Sequence, residues 1–293
     1  MENIWVPIAL VCAFTLATSD AFTKKALSVY NEYLVAWLRL LLALPLLFLA
    51  FLFVPIPHLD RTFYTTFLIA LPLEVAAFVL YIKALKLSPL SLTLPFLSLT
   101  PLFLIIVPYL ILGESISTQG VIGVLLIAAG SYTLNIRDFK KGIFAPLIAI
   151  TRERGSLYML IVAIIYSFTA TLAKKVVGHS SPVFASLVYY IALYICLTPI
   201  VLYKNREVLS EKKEFKRALI AVLPAGIFDA IAMLTNMVGF SLTKVAYLIA
   251  VKRLSLLIGV YYGYLFFKES GIRERFLGSV LMLAGFALIV LYH

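Results

Sequence analysis

Along the chain, long apolar runs alternate with short polar breaks, and each run is about twenty residues long. At a rise of about 1.5 Å per residue, about twenty helical residues cross a hydrocarbon layer about 30 Å thick. The pattern predicts ten spanning helices: 4 to 23, 33 to 54, 63 to 86, 89 to 112, 117 to 136, 156 to 177, 182 to 203, 217 to 241, 244 to 267 and 272 to 292. The longest breaks, 137 to 155 and 204 to 216, are too short for a soluble domain. The expected fold class is therefore all-α integral membrane, with ten transmembrane helices. The first run has no basic segment before it and no clear cleavage site after it, so it reads as a retained helix rather than a signal peptide.

Composition mainly removes alternatives. Of 293 residues, 63% are hydrophobic and 13% charged, against roughly 45–50% and 25% in soluble domains, and the mean hydropathy is +1.04. The net charge of +11 comes from Lys and Arg in the breaks, with no basic and aromatic face of the kind that holds a nucleic acid. Cys12 and Cys196 lie inside apolar runs and imply no disulfide framework. His58, His179 and His293 fall in breaks or at the end of the chain, and no HExxH, GxSxG or metal-ligand cluster occurs. The expectation is no catalytic residue, no metal and no cofactor, so not an enzyme.

Charge placement gives a topology. The breaks after the first, third, fifth, seventh and ninth spans carry Lys24, Lys25, Lys86, Arg137, Lys140, Lys141, Arg152, Arg154, Lys204, Arg206, Lys212, Lys213, Lys216, Lys268, Arg273 and Arg275. The opposite side carries Arg61, Lys174, Lys175 and Lys244. Basic loops stay in the cytoplasm, so this count places both termini outside.

The chain also repeats itself. TSDAFTKKALS at 18 to 28 resembles FTATLAKKVVG at 168 to 178, superposing Lys24-Lys25 on Lys174-Lys175. LGESISTQGVIGVLLIAAG at 112 to 130 resembles FKESGIRERFLGSVLMLAG at 267 to 285, superposing Glu114 on Glu269, Gly123 on Gly278 and Gly130 on Gly285. Two matches in the same order, shifted by 150 and 155 residues, divide the chain into halves at 1–136 and 156–293 joined by a basic loop at 137–155. Five helices is an odd number, so the second half is expected to enter the bilayer from the opposite side. Inverted repeats of this kind frame many secondary transporters, with the binding site near the midplane where the halves meet.

The helix count, the two halves, the turns Gly113-Glu114 and Lys268-Glu269 before helices ending in Ala-Gly, and AVKRLSLLIGVYYGYLFFKE at 250 to 269 resemble the drug/metabolite transporter superfamily, specifically its ten-helix EamA-type members. The resemblance covers nearly the whole chain. It implies an exporter or exchanger of amino acids, drugs or other metabolites. Relatives carry nucleotide sugars, sugar phosphates or choline, and several work by proton coupling or exchange. It also implies cytoplasmic termini, the reverse of the charge count.

Several ionisable residues lie inside predicted spans: Asp20, Arg39, Glu74, Lys83, Asp229, Lys252 and Arg253. Each costs roughly 2.5–3.5 kcal/mol at a helix centre, so most are expected inside the bundle. Glu74 and Asp229 lie near the middles of the third and eighth spans and correspond at the 155-residue shift. Each heads a stripe, Glu74, Phe78 and Tyr81 in one half and Asp229, Met233 and Asn236 in the other, with Tyr81 matching Asn236. The two stripes are expected to wall a central cavity. A poorly solvated carboxylate there can take a proton or bind a solute, or it can be paired by Arg39, Lys83, Lys252 or Arg253. Arg253, which matches Ser98 in the first half, is placed in the cavity on the family resemblance. Lys252 stands about 100° from it on the helix and points elsewhere.

Pro89, Pro95, Pro101 and Pro108 make the fourth span a kinked helix beside a transport path, interspersed with Ser91, Thr93, Ser98 and Thr100. Ser255, Gly259 and Gly263 form a small-residue stripe suited to close helix packing. The residues expected to contact substrate or proton are Glu74, Tyr81, Asp229, Asn236, Arg253, Ser98, Arg39 and Asp20. A scaffold would not need matched midplane acids, and a channel would need a continuous polar pore. The expected partners are a small-molecule solute, protons and the plasma-membrane bilayer, with no nucleic acid, in a monomer or homodimer.

Overall fold

The computed structural model describes residues 4–87, 96–135, 154–267 and 276–292. The described residues are helical with no strand, in the order α1 Trp5–Leu27, α2 Glu32–Phe51, α3 Arg61–Leu87, α4 Thr100–Leu112, α5 Thr118–Asn135, α6 Arg154–Gly178, α7 Pro182–Lys204, α8 Arg206–Ser210, α9 Lys212–Leu242, α10 Val245–Lys252, α11 Ser255–Phe267 and α12 Phe276–Leu291. Among the described residues, seven stretches are long and apolar enough to cross a membrane: Trp5–Leu27, Glu32–Phe51, Arg61–Tyr81, Arg154–Gly178, Pro182–Lys204, Lys212–Leu242 and Val245–Tyr262. Thr100–Leu112, Thr118–Leu134 and Leu277–Leu291 are shorter apolar helices.

Helix ends follow local chemistry. Asn31 caps α2 by accepting from the N–H groups of Tyr33 at 2.9 Å and Leu34 at 3.2 Å. Ser181 caps α7 by accepting from Phe184 N at 3.2 Å, with Pro182 in the first turn where its missing N–H costs nothing. Gly113 ends α4 at φ 70°, a left-handed turn that glycine adopts without steric cost, and Glu114 N then reaches back to Pro108 O at 3.3 Å.

Three elements depart from the expectation. The stretch 204 to 216, predicted as a loop, folds into the short helix α8 and the first turn of α9, which starts at Lys212 rather than 217. The ninth span, predicted as one helix over 244 to 267, divides into α10 and α11 at Arg253-Leu254. Gly259 of the small-residue stripe is exposed, and a Cβ there would meet nothing within 4 Å, so it makes no close helix contact among the described residues. Of the fourth span's prolines, Pro89 and Pro95 lie outside the described residues.

The fourth and ninth spans change course at matching places. In the first half Leu99 N bonds to Phe96 O at 3.0 Å and Leu102 N to Leu99 O at 2.9 Å. In the second, Leu254 N bonds to Val251 O at 2.9 Å and Leu257 N to Leu254 O at 3.0 Å. Both are tight turns with three-residue bonds, at positions 155 residues apart. Pro101 explains the first, because without its N–H the Leu97 carbonyl is left over and the Thr100 hydroxyl takes it at 2.8 Å. The second contains no proline, so no breaker residue marks it.

Packing pairs a helix of one half with a helix of the other: α1 lies along α9, α3 along α6, and α5 along α12. The α5–α12 seam is antiparallel and made by glycine. A Cβ on Gly130 would lie 2.5 Å from Gly278 O, and one on Gly123 would lie 2.8 Å from Gly285 O. Only glycine lets the two backbones touch there. The 155-residue shift carries Gly123 to Gly278 and Gly130 to Gly285, so it turns one contact into the other.

Candidate functional site

The polar side chains of the bundle interior converge on α1, α2, α3, α6, α7, α9 and the turn between α10 and α11. Asp229, in the middle of α9, is 5% exposed. Its Oδ1 accepts a hydrogen bond from Arg39 Nη2 of α2, and its Oδ2 accepts from the Tyr190 hydroxyl of α7 at 2.8 Å. Arg39 also donates through Nη1 to Asp20 Oδ1 of α1 at 3.1 Å and to Thr23 Oγ1 at 3.4 Å. These groups come together because α2 approaches α9 at Gly226, where a Cβ would lie 2.6 Å from Leu42 Cβ. A neighbouring tie sets α1 against the same helix, the Ser19 hydroxyl donating to Ala225 O at 2.8 Å.

Asp20 differs from Asp229 in being 59% exposed, although Arg39, Tyr81 and Arg253 all lie within electrostatic reach. Its carboxylate therefore lines open space at the heart of the bundle. Glu74 of α3, half-buried, contacts Thr169 of α6 and lies within electrostatic reach of Lys252. Among the described residues it makes no ion pair. Lys252 donates to Asn236 Oδ1 of α9 at 2.8 Å. Arg253 faces Tyr166 and Tyr81, and its buried Nε has no hydrogen-bond partner among the described residues. Ser98 is buried at the turn before α4. Lys83, a candidate pairing base, is exposed.

Two subsets emerge. Asp20, Asp229 and Arg39 form a connected triad carrying one excess negative charge. Glu74, Lys252 and Arg253 form a looser set carrying one excess positive charge. Together the six are neutral, which suits a poorly solvated interior. Desolvated acid and base groups facing one space can hold the opposite charges of a small solute, and Arg253 presents a donor ready for an anionic group.

Sequence reasoning had gathered Asp20, Arg39, Glu74, Tyr81, Ser98, Asp229, Asn236 and Arg253. The structure joins Asp20, Arg39 and Asp229 directly and ties Asn236 to Lys252, which the 100° argument had turned away. The turn at Arg253-Leu254 breaks the regular helix just after Lys252. Missed altogether were Tyr190, Thr169 and Tyr166, whose roles depend on neighbours far away in sequence.

A second, partly buried ion pair lies where α6 ends and α10 begins. Lys174 Nζ of α6 pairs with Glu114 Oε1 and donates to Thr243 O, and Glu114 Oε2 accepts from Val245 N at the first turn of α10 at 3.0 Å. The carboxylate thus caps a helix of the other half, where the helix dipole favours negative charge. The matching partner by repeat, Glu269, lies outside the described residues.

Among solved structures, the crystal structure of a protein 16% identical in sequence superposes with a TM-score of 0.76, covering 99% of this chain and 98% of that one. No curated protein matches the chain. The model of the EamA-like transporter family matches twice, over residues 3–136 and 153–291. Those two segments take in nearly every residue described above, and this multi-pass helical membrane protein belongs to the EamA-like transporter family.

Proposed function

We propose that the chain is a secondary transporter that moves a small polar metabolite, of the amino-acid or amine type, by alternating access, as an exporter or exchanger. The observation that carries this reading is the meeting of three acids and three bases inside the helical bundle. Asp20, Glu74 and Asp229 face Arg39, Lys252 and Arg253, with Asp20 exposed to internal space and the Arg253 Nε unpartnered. Charges of both signs around one space suit a zwitterion, its amino group toward Asp20 or Glu74 and its anionic group toward Arg253. Protons are the proposed coupling ion, with Glu74 as the carboxylate that accepts them.

The framework proposed is ten spans in two inverted five-helix repeats, 1–136 and 156–293, joined by the basic loop 137–155. The exchange of the Gly123–Gly285 and Gly130–Gly278 contacts under the 155-residue shift supports it, as do the matching turns at 98–99 and 253–254. The basic-loop face is proposed to be cytoplasmic in the plasma membrane. The adjacent Lys252 and Arg253 favour a second reading, a carrier of phosphate-bearing solutes such as sugar phosphates or nucleotide sugars, since two cations suit a phosphate.

Counterflow in proteoliposomes tests the proposal: saturable exchange of one solute is expected, and flux linear in concentration overturns it. A thermal-shift screen over amino acids, amines and sugar phosphates separates the two substrate readings.

A further inference from the structure

One stripe runs down α3: Asp60 just before the helix, then Phe63, Phe67, Ala70 and Glu74 at spacings of three and four residues. At the Asp60 end a cavity of about 490 Å³ opens to solvent, lined by Pro57, His58, Asp60, His179 and Ser181 among others. His179 Nδ1 lies 2.7 Å from Asp60 Oδ2 across it. Asp60 Oδ1 accepts from Phe63 N at 2.8 Å, as Ser181 does from Phe184 N, so the cap residues of α3 and α7 both line this cavity.

One turn further in, the path toward Glu74 is filled by rings. Phe63 and Phe184 lie 5.8 Å apart centre to centre, and Phe67 and Tyr189 5.0 Å apart, edge to face. Beyond them Ala70 is fully buried, and Glu74 follows. Tyr189 is 5% exposed, lies within electrostatic reach of Glu74, and its hydroxyl has no hydrogen-bond partner among the described residues. A buried hydroxyl without a partner favours any rearrangement that brings water to it.

The pseudo-equivalent contact, α2 against α9, is built differently. There backbone meets side-chain stem at Gly226 and Leu42, and Arg39 bridges to Asp229. Such a seam parts only if the helices separate. Rings that meet tilted or edge to face part when side chains turn about χ1.

We propose that Phe63, Phe67, Phe184 and Tyr189 form a closed aromatic gate between the His179-side cavity and the Glu74 site, and that the Tyr189 hydroxyl favours its opening by gaining water only in the open state. This rests on the transport reading for its purpose, but its test needs no substrate. Ala70→Cys, placed behind the gate in a chain also carrying Cys12→Ala and Cys196→Ala, is reacted in proteoliposomes with a membrane-impermeant trimethylammonium methanethiosulfonate and followed by mass.

Tyr189→Ala is expected to speed labelling about tenfold, and Tyr189→Phe, which keeps the ring and removes the hydroxyl, to slow it about fivefold. Phe67→Leu, a milder change that keeps the test open should Tyr189→Ala fail to fold, is expected to speed it as well. Phe22→Ala, which unstacks Phe22 from Phe228 at the Lys24 end, is expected to leave it unchanged. Three results overturn the gate: Tyr189→Phe that labels as fast as its parent or faster, Tyr189→Ala and Phe67→Leu that both fail to speed labelling, or Phe22→Ala that speeds it equally. Absence of counterflow for every solute would instead strike the transport reading alone, leaving the labelling result to stand.

Discussion

Glu74 and Asp229 occupy corresponding positions in the two halves, near the middles of α3 and α9, yet their surroundings differ in kind. Asp229 is saturated, with Arg39 on one oxygen and Tyr190 on the other. Glu74 has Thr169 and, among the described residues, no ion pair. The two positions match along the sequence but their side chains meet different neighbours: Asp229 ties α9 to α2 and α7, while Glu74 contacts Thr169 of α6. Arg39 accounts for the difference, because it sits on α2 where that helix packs tightly on α9, while α7 meets α3 through rings.

Arg39→Met leaves Asp229 buried without its base and is expected to destabilise the protein by about 3–5 kcal/mol, read from unfolding in detergent. The double change Arg39→Met with Asp229→Leu is expected to recover most of that loss. A single variant that unfolds like its parent would show that the triad is not structural.

Arg253→Gln is expected to leave the melting temperature nearly unchanged, since its Nε bonds to nothing among the described residues, while transport of the counterflow solute falls about tenfold to a hundredfold. That range corresponds to losing one charge-assisted hydrogen bond. Equal transport in parent and variant would remove Arg253 from the solute site.

Glu74→Gln sharpens the contrast directly. Its stability cost is expected to stay under about 1 kcal/mol, because no ion pair is lost, but the pH dependence of transport is expected to flatten. Asp229→Asn should show the reverse, a large loss of stability. Identical behaviour of the two variants would erase the distinction between the acids.

The smallest effect is expected at Asp60. The Phe63 backbone N–H, with help from His179, holds its carboxyl below the ordinary carboxylate range. A depressed folded-state value means the contribution is complete above the ordinary Asp value of about 3.9 and disappears as pH falls through the lower folded value. Melting temperatures below about pH 4 should therefore fall in the parent, with that component missing from Asp60→Asn.

Much of the fold was legible because a bilayer imposes a one-dimensional rule. Run length and hydropathy mark helices, and a buried charge inside a run announces itself by its cost. The acids, Arg39 and Arg253 were found that way. The break at Arg253-Leu254 was not, because it uses no proline or glycine and consists of three-residue backbone bonds that no residue type announces. Lys174 read as one of the few basic residues at its end of the bundle, yet it is partly buried against Glu114. The Gly259 stripe looked like a packing seam, whereas close glycine contacts between helices are made elsewhere, by α5 with α12 and by α9 with α2 at Gly226.

By itself the sequence determined that the chain is an all-helical membrane protein, that its halves resemble each other, and which ionisable groups had to be sheltered from lipid. Those properties depend on composition and spacing along the chain. Only the tertiary structure decided which base neutralises which acid, which hydroxyl is left without a partner, and where rings rather than backbone fill the interface. Those outcomes depend on distances between residues as much as 190 positions apart, as with Arg39 and Asp229, and no periodicity along the chain encodes them.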